Sequence, residues 1–447
     1  MLTAKRVLSL GLFLCLLSAG IPLIQAQVLD LSFDDAWELA SSDNPQVKLA
    51  QLNLEKADGQ IGEAYASAMP VITANGYYQR SFIIPEMIVE MPPEFGGGTS
   101  KLQFEQDNLF NGSIELSQPL YAAGKVGLAL KIAKLYRQVT EEQLTQTKTE
   151  LKLLITQLYF GAVVAADWEL VARETYDQMA AHLEKVEDMY REGIVSEYDL
   201  IRSQVQVSNF YPQVINAQTT HKVAFEVLAI ALNIPSDQQL NLTDDLTEFQ
   251  SRSSEMDNTL GIALASRSEL KQIDLQRQML DKLLTIERHG IWWPNISLVG
   301  GYSRSAQEPD FKIDDYYWTE SLYGGISVSI PLFDGFKAKH RAQQVRVDLK
   351  TLDLQRDQVM RGINLEIIEA EDRREQALSN VTAQTEGVSL AEKGMKIAEV
   401  RYENGLATQL EVLDAQIALN QAKTNELAAR YEAITAAAAL DKALGRY

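Results

Sequence analysis

The chain has 447 residues, 46% apolar and 23% charged, enough for two or three ordinary domains or one elongated one. The formal net charge of −20 excludes ordinary nucleic-acid binding, because phosphates require a basic face. Such a balance suits a soluble acidic body or a pathway for cations, and solubility is the simpler cause.

Lys5 and Arg6 precede an apolar run from Val7 to Leu17, and Ala26 offers a small residue for cleavage before Gln27. Residues 1–26 therefore read as a secretory signal peptide, too short in its apolar part to span a bilayer. Cys15, the single cysteine, lies in that run, and Leu12-Phe13-Leu14 before it argue against lipid attachment. Cleavage leaves a chain without thiol chemistry and moves the side-chain charge from −20 to −22. Beyond the signal no apolar run approaches the length of a spanning helix. The mature chain is then either soluble or crosses a membrane with strands closed into a barrel.

In chain order, Ser32-Phe-Asp-Asp35 predicts a helix N-cap with acids in the first turn. Asn44-Pro45 predicts a break, and the stretch ends at Pro70. Alternation of period two predicts strands at about 71–80 and 110–118, with Pro92-Pro93 and Gly96-Gly97-Gly98 in the connection. A long helix follows over roughly 123–191, about 100 Å at 1.5 Å per residue. Gly193 stops it, and a helix returns over roughly 196–232. Pro212 predicts a kink or break near Tyr211. The polar stretch 236–256 reads as a linker with room for one short element. The second half begins near Asp257 and runs to Pro294, with strands at about 295–304 and 320–330. A long helix over roughly 336–403, a stop at Gly405 and a last helix over roughly 408–444 complete it. In that last helix Leu406, Leu410, Leu413, Ile417, Leu427, Tyr431, Ile434 and Ala438 fall on a 3.5-residue seam, the spacing of coiled-coil packing.

The halves repeat one unit, residues 27–235 and 257–447. "LSQPLYAAGK" matches "VSIPLFDGFK", and "YREGIVSEYDLIRSQ" matches "YENGLATQLEVLDAQ", both at an offset of 212. "MPVITANGYY" matches "WPNISLVGGY" at 224, so the connection between the two prolines is twelve residues longer in the first copy. Loops absorb such differences more readily than packed helices. The strands carry one apolar face and one small or polar face. This pattern fits a barrel wall with lipid outside and water inside. It equally fits a soluble sheet with a buried face, but aromatics at the strand ends, among them Tyr77, Tyr78, Trp292, Trp293, Tyr302 and Trp318, favour a membrane interface.

These motifs, together with "LSFDDAWELASSDNPQV" and "ALASRSEL…WWPNISLVGGYS", resemble the TolC-type outer-membrane efflux family over nearly the whole mature chain. The resemblance implies a mainly α protein with a β-barrel portion. Three chains would each give four strands to a twelve-stranded barrel set on a long coiled-coil α-helical barrel. It implies a homotrimer in the outer membrane, in contact with its lipid and extending into the periplasm. Its partners would be a periplasmic adaptor protein and an inner-membrane pump. The implied role is a passive exit duct for efflux or type I secretion. A periplasmic coiled-coil scaffold without a channel is the competing reading.

No catalytic constellation, metal cluster or cofactor site is expected. His182, His221, His289 and His340 are scattered and read as solvated helix-surface residues, and Gly300-Gly301 and Gly324-Gly325 sit in strands rather than phosphate loops. By resemblance, Gly193 and Gly405 mark the periplasmic tips that meet the adaptor, although each glycine also serves simply as a helix stop. Glu411 and Asp414, spaced i, i+3, would form stacked carboxylate rings in a trimer, which select cations. An ordinary solvated acidic face is the alternative. Tyr402 and Asp199 belong, by resemblance, to the contacts that hold the tip closed. Leu406-Ala407-Thr408 contains no base where the family places one, so one gating ion pair is expected to be absent or built differently.

Overall fold

The structure is a computed structural model that describes residues 29–102, 106–235, 238–246, 259–290, 292–311 and 313–446. The signal peptide and most of the linker lie outside these residues. Two compact units emerge, one of Met1–Lys48, Thr147–Ala263 and Leu365–Tyr447, the other of Leu49–Gln146 and Leu264–Asn364.

The first unit is built on two helical hairpins. Helix α3 (Lys125–Arg191) returns as α4 (Glu197–Ala231), and α7 (Lys337–Glu403) returns as α8 (Gln409–Ala443). The paired lengths are identical, 67 residues for α3 and α7 and 35 for α4 and α8. Ala172 and Met179 of α3 pack on Phe210, Val214 and Ala217 of α4. Ala377 and Val381 of α7 pack on Ala429, Ala433 and Ala436 of α8. Alanines at these positions allow close helix approach. A small parallel pair, β1 (Leu29–Leu31) with β6 (Leu240–Leu242), joins the N-terminal segment to the linker. The Tyr159 hydroxyl, 2.7 Å from Asp244 Oδ2 and 2.8 Å from the Leu31 carbonyl, fastens that pair to α3.

One expectation fails here: helix α4 continues through Pro212 without a break. An internal proline costs about 3 kcal/mol. Phe210 and Val214 are buried on either side of it, at about 1.5–3 kcal/mol each, so packing wins. By length and composition α3 is apolar enough to cross a bilayer. Its Leu151, Ile155, Tyr159, Phe160 and Ala162 are instead buried in the unit. On the seam of α8, Leu413, Ile434 and Ala438 are buried, whereas Leu410 and Ile417 near its start, and Leu406 in the turn before it, are exposed. The chain's own helices cover part of the seam and leave its start bare.

The second unit holds most of α2 (Pro45–Ala66), α6 (Ser268–Arg288) and the N-terminal portions of α3 and α7. Ion pairs join them: Arg137 to Asp58 at 2.6 Å, Arg277 to Asp353 at 3.1 Å and Arg356 to Asp274 at 3.0 Å. Preceding helices α1 (Phe33–Asp43) and α5 (Thr259–Ser266) are separated from α2 and α6 by single residues, Asn44 and Arg267. The first break follows from Pro45. The second has no proline; Arg267, buried and paired with Glu269 at 2.9 Å, occupies it.

Four strands form one antiparallel sheet in the order β2 (Val71–Arg80), β5 (Asn108–Ala122), β7 (Asn295–Glu308), β8 (Thr319–Ser329). Register puts Ile72, Ala74, Leu116, Ile114, Leu298, Tyr302, Ile326 and Leu322 on one face. The other face carries Thr73, Asn75, Ser113, Glu115, Ser117, Ser303, Ser305, Ser321 and Ser327. The apolar face is bare: Ile72, Ile326 and Leu322 are 68%, 67% and 82% exposed. Among the described residues, β2 and β8 each have one unpaired edge. Aromatic rings gather beyond both strand ends. Tyr78, Phe110, Phe311, Tyr316 and Trp318 stand at one, and His289 stacked on Trp293 with the Phe333–Phe336 pair at the other. The extra residues of the first copy fold as a hairpin, β3 (Met87–Met91) with β4 (Gly98–Leu102), turning through Pro92 and Gly96–Gly98.

Candidate functional site

The two turns that join the helical hairpins share one backbone design. Gly193 and Gly405 adopt φ of 73° and 71°. In each turn the glycine N–H and the following N–H cap the helix end. Gly193 N–H donates to Tyr190 O at 2.9 Å and Ile194 N–H to Met189 O at 2.8 Å; Gly405 and Leu406 bond Tyr402 and Arg401 at the same distances. This pair of bonds is the Schellman arrangement, which glycine accepts without steric cost. A reciprocal cap then starts the return helix, Ser196 with Asp199 in the first turn and Thr408 with Glu411 in the second.

The caps change how the acids must be read. Asp199 Oδ2 accepts from the Ser196 hydroxyl at 2.7 Å and from its N–H at 3.3 Å. Glu411 Oε1 accepts from the Thr408 N–H at 3.1 Å, while Glu411 Oε2 accepts from Arg401 Nη1 at 3.1 Å. Arg401 Nη2 also donates to Leu406 O at 3.0 Å, so one guanidinium holds both sides of the second turn. The Thr408 N–H first, with help from Arg401 and the Thr408 hydroxyl, holds the Glu411 carboxyl below the usual carboxylate range. The base that pairs with Glu411 is Arg401, four residues before Gly405. Asp414 is exposed and has no ion-pair partner among the described residues.

Tyr402 is half-buried against the cluster of Met395, Ala398, Val412 and Leu419. Its ring lies 5.3 Å from that of His182 on α3. Tyr402 Oη and His182 Nε2 are both buried without a hydrogen-bond partner among the described residues. Burial, and secondarily Asp199, pushes the Tyr402 phenol up. Burial, and secondarily Lys185, pushes the His182 imidazole below its ordinary 6.5. Lys185 pairs with Glu403 at 3.0 Å beside them. The structure thus brings Tyr402, His182, Lys185 and Glu403 together. His182 is not fully solvated, and His221, 2.6 Å from Glu169, and His289, stacked on Trp293, are partly buried as well. Only an apolar neighbourhood at the matching helical turn could have hinted at His182 in the sequence. Among the described residues, no group of three or more His, Cys, Asp or Glu could hold a metal ion.

Two segments of the chain, residues 37–233 and 259–446, match the sequence profile of outer membrane efflux proteins. The chain belongs to the outer membrane efflux protein family. It is an outer-membrane export duct component with a helical periplasmic extension. The two matched segments correspond to the two helix–strand copies. Among relatives of this efflux protein, the cobalt-zinc-cadmium resistance protein CzcC of Cupriavidus metallidurans is 22% identical over 74% of this chain and 76% of its own. The outer membrane protein TolC of Vibrio cholerae is 20% identical over 82% and 83% of the two chains. The alkaline protease secretion protein AprF of Pseudomonas aeruginosa is 20% identical over 95% and 86%. The fold is that of CusC, with a TM-score of 0.73 at 17% identity, covering 94% of this chain and 93% of that one. The open-state MtrE channel of Neisseria gonorrhoeae gives 0.70 at 18% identity, over 92% and 88%.

Proposed function

We propose that this efflux protein is a homotrimeric, passive exit duct. Each protomer would contribute its four strands to a twelve-stranded barrel and its helices to a coiled-coil tunnel. The carrying observation is the sheet, with one bare apolar face, one polar face and an unpaired edge on each side. In water such a face would collapse onto something, and such edges would aggregate. In a bilayer every backbone group must be paired, which only a closed ring of strands achieves. Strand β5 covers 15 residues, about 50 Å of chain at 3.3 Å per residue, ample for an apolar band of about 25 Å crossed at a tilt. The aromatic groups at both strand ends fit the two interfaces.

The chain would work with an inner-membrane pump and a periplasmic adaptor, the adaptor meeting the turns at Gly193 and Gly405. The exposed apolar residues in and beside those turns, Ile194 with Tyr198, Ile201 and Val205 of α4 and Leu406 with Leu410 and Ile417 of α8, support packing against other chains there. Tyr402, Asp199, Glu411 and Asp414 form the proposed constriction. Of the four, Asp414 supplies unengaged charge, while Asp199 and Glu411 also shape the turns. The relatives' names span metal resistance and protease secretion, so the duct reading does not depend on one cargo.

Purified protein in planar bilayers tests this reading. Discrete channels are expected, enlarged by neutralising Glu411 and Asp414 together. Extraction without detergent and no channels in either form would instead favour the scaffold.

A further inference from the structure

We infer that Glu115 sets the ion preference of the duct's membrane-crossing section, as a cation-selecting carboxylate halfway along its polar wall. The inference rests on the barrel proposed above and adds a charge that belongs to the sheet rather than to the turns.

The register defines the polar face completely. It comprises Val71, Thr73, Asn75, Tyr77 and Gln79 on β2, with alternate residues from Leu109 to Ser117 on β5. Alternate residues from Asn295 to Gln307 on β7 and from Thr319 to Ser329 on β8 complete it. Every other side chain there is a hydroxyl, an amide, an apolar group or an aromatic ring. Glu115 is the one ionisable carboxylate, and the face has no Lys, Arg or His. The charged strand residues Arg80, Arg304, Glu308 and Glu320 lie on the opposite face near the strand ends, where Arg304 and Glu320 approach to 3.6 Å.

Glu115 is the central residue of β5. A carboxylate at that depth is tolerated only where it meets water, which fixes its face as the wet one. It is exposed, with the Ser113 hydroxyl 3.5 Å away and no cation paired with it among the described residues. Its neighbour across the pair with β7 is Gly301. The Tyr323 ring lies over that glycine, its hydroxyl 2.9 Å from where a Gly301 Cβ would stand. The wall beside the carboxylate is therefore an aromatic ring and a hydroxyl. Three protomers would place three such carboxylates at one level. At low salt the screening length, about 30 Å at 0.01 M, lets them act across the lumen. Fixed rings of one sign favour the opposite ion.

The experiment is the reversal potential of single channels of the full chain under a dilute KCl gradient. Glu115→Gln and Glu115→Lys are each made in the unaltered chain and in a Glu411→Gln/Asp414→Asn background. The K+/Cl− permeability ratio is expected to fall about twofold with glutamine and to drop further with lysine, in both backgrounds. The glutamine variant keeps the side chain's size and decides the matter if the lysine variant fails to insert. Channels whose selectivity is the same with Glu115 or glutamine, in both backgrounds, overturn the assignment and leave the duct intact. An unaltered chain that forms no channels overturns the duct and the assignment together.

Discussion

The two hairpin turns share a frame and differ in what surrounds it. Both close with a left-handed glycine and both restart with a reciprocal cap. Around the second turn Arg401 bridges Glu411 and Leu406; in the first, the matching position is Met189, which carries no charge. Tyr402 is packed on His182, whereas its counterpart Tyr190 is exposed, with Gly394 where the first copy has His182. Among the described residues, Arg191 in the first copy pairs with Asp188, three residues back on its own helix, and with no other acid. Backbone geometry is duplicated, while the second turn carries the additional side-chain braces.

The largest expected effect tests the shared frame. A Cβ at either glycine meets open space, so the penalty of a side chain is purely one of backbone conformation. Gly193→Val and Gly405→Val should each cost about 1–2 kcal/mol in thermal or denaturant unfolding. Strongly unequal losses would mean the two frames are not equivalent. Next come the caps: Ser196→Ala and Thr408→Ala should each cost roughly 1 kcal/mol by the same measurement.

A smaller effect separates the turns. Because His182 has a folded pKa below its ordinary 6.5, the folded state resists protonation there. Its contribution is complete above about 6.5 and is lost as pH falls through the lower folded value. The facing groups are Lys185 on α3, and Tyr402 and Glu403 on α7, with Asp199 acting on Tyr402. Melting temperature should therefore decline below pH 6.5, and His182→Phe should flatten that decline. An unchanged slope in His182→Phe would place the sensitive group elsewhere. Smallest of all, Arg401→Ala should speed hydrogen exchange at Leu406 and the start of α8, while Met189→Ala leaves the first turn's exchange unaltered. Equal responses would remove Arg401 as the source of the difference.

Much of the backbone was legible because it obeys local rules. Period-two alternation marked the segments around Ile72, Ile114, Ile296 and Ile326, and Gly193 and Gly405 marked the turns. Side-chain environments were not legible to the same degree. The seam through Leu406, Leu410 and Ile417 has the period of a helix interface, but a period does not say whether the chain's own helices or another chain covers that stripe. Pro212 carried a valid local penalty that Phe210 and Val214, packing against residues some forty positions earlier, outweigh. His182 and Arg401 gained their roles from neighbours brought in by the hairpins. Neither residue belongs to a local motif. Asp199 and Glu411 were visible as acids near a turn, yet their reciprocal caps require knowing where each helix starts.

The sheet begins and ends on strands from different copies, β2 from the first and β8 from the second. In the proposed ring each seam then joins the last strand of one protomer to the first strand of the next, and the copies alternate around the circumference. An inherited change to one copy appears at every other position, never at all six. Fusing the two copies in a single gene thus frees alternate positions to drift apart. A ring of six identical subunits would have to change everywhere at once.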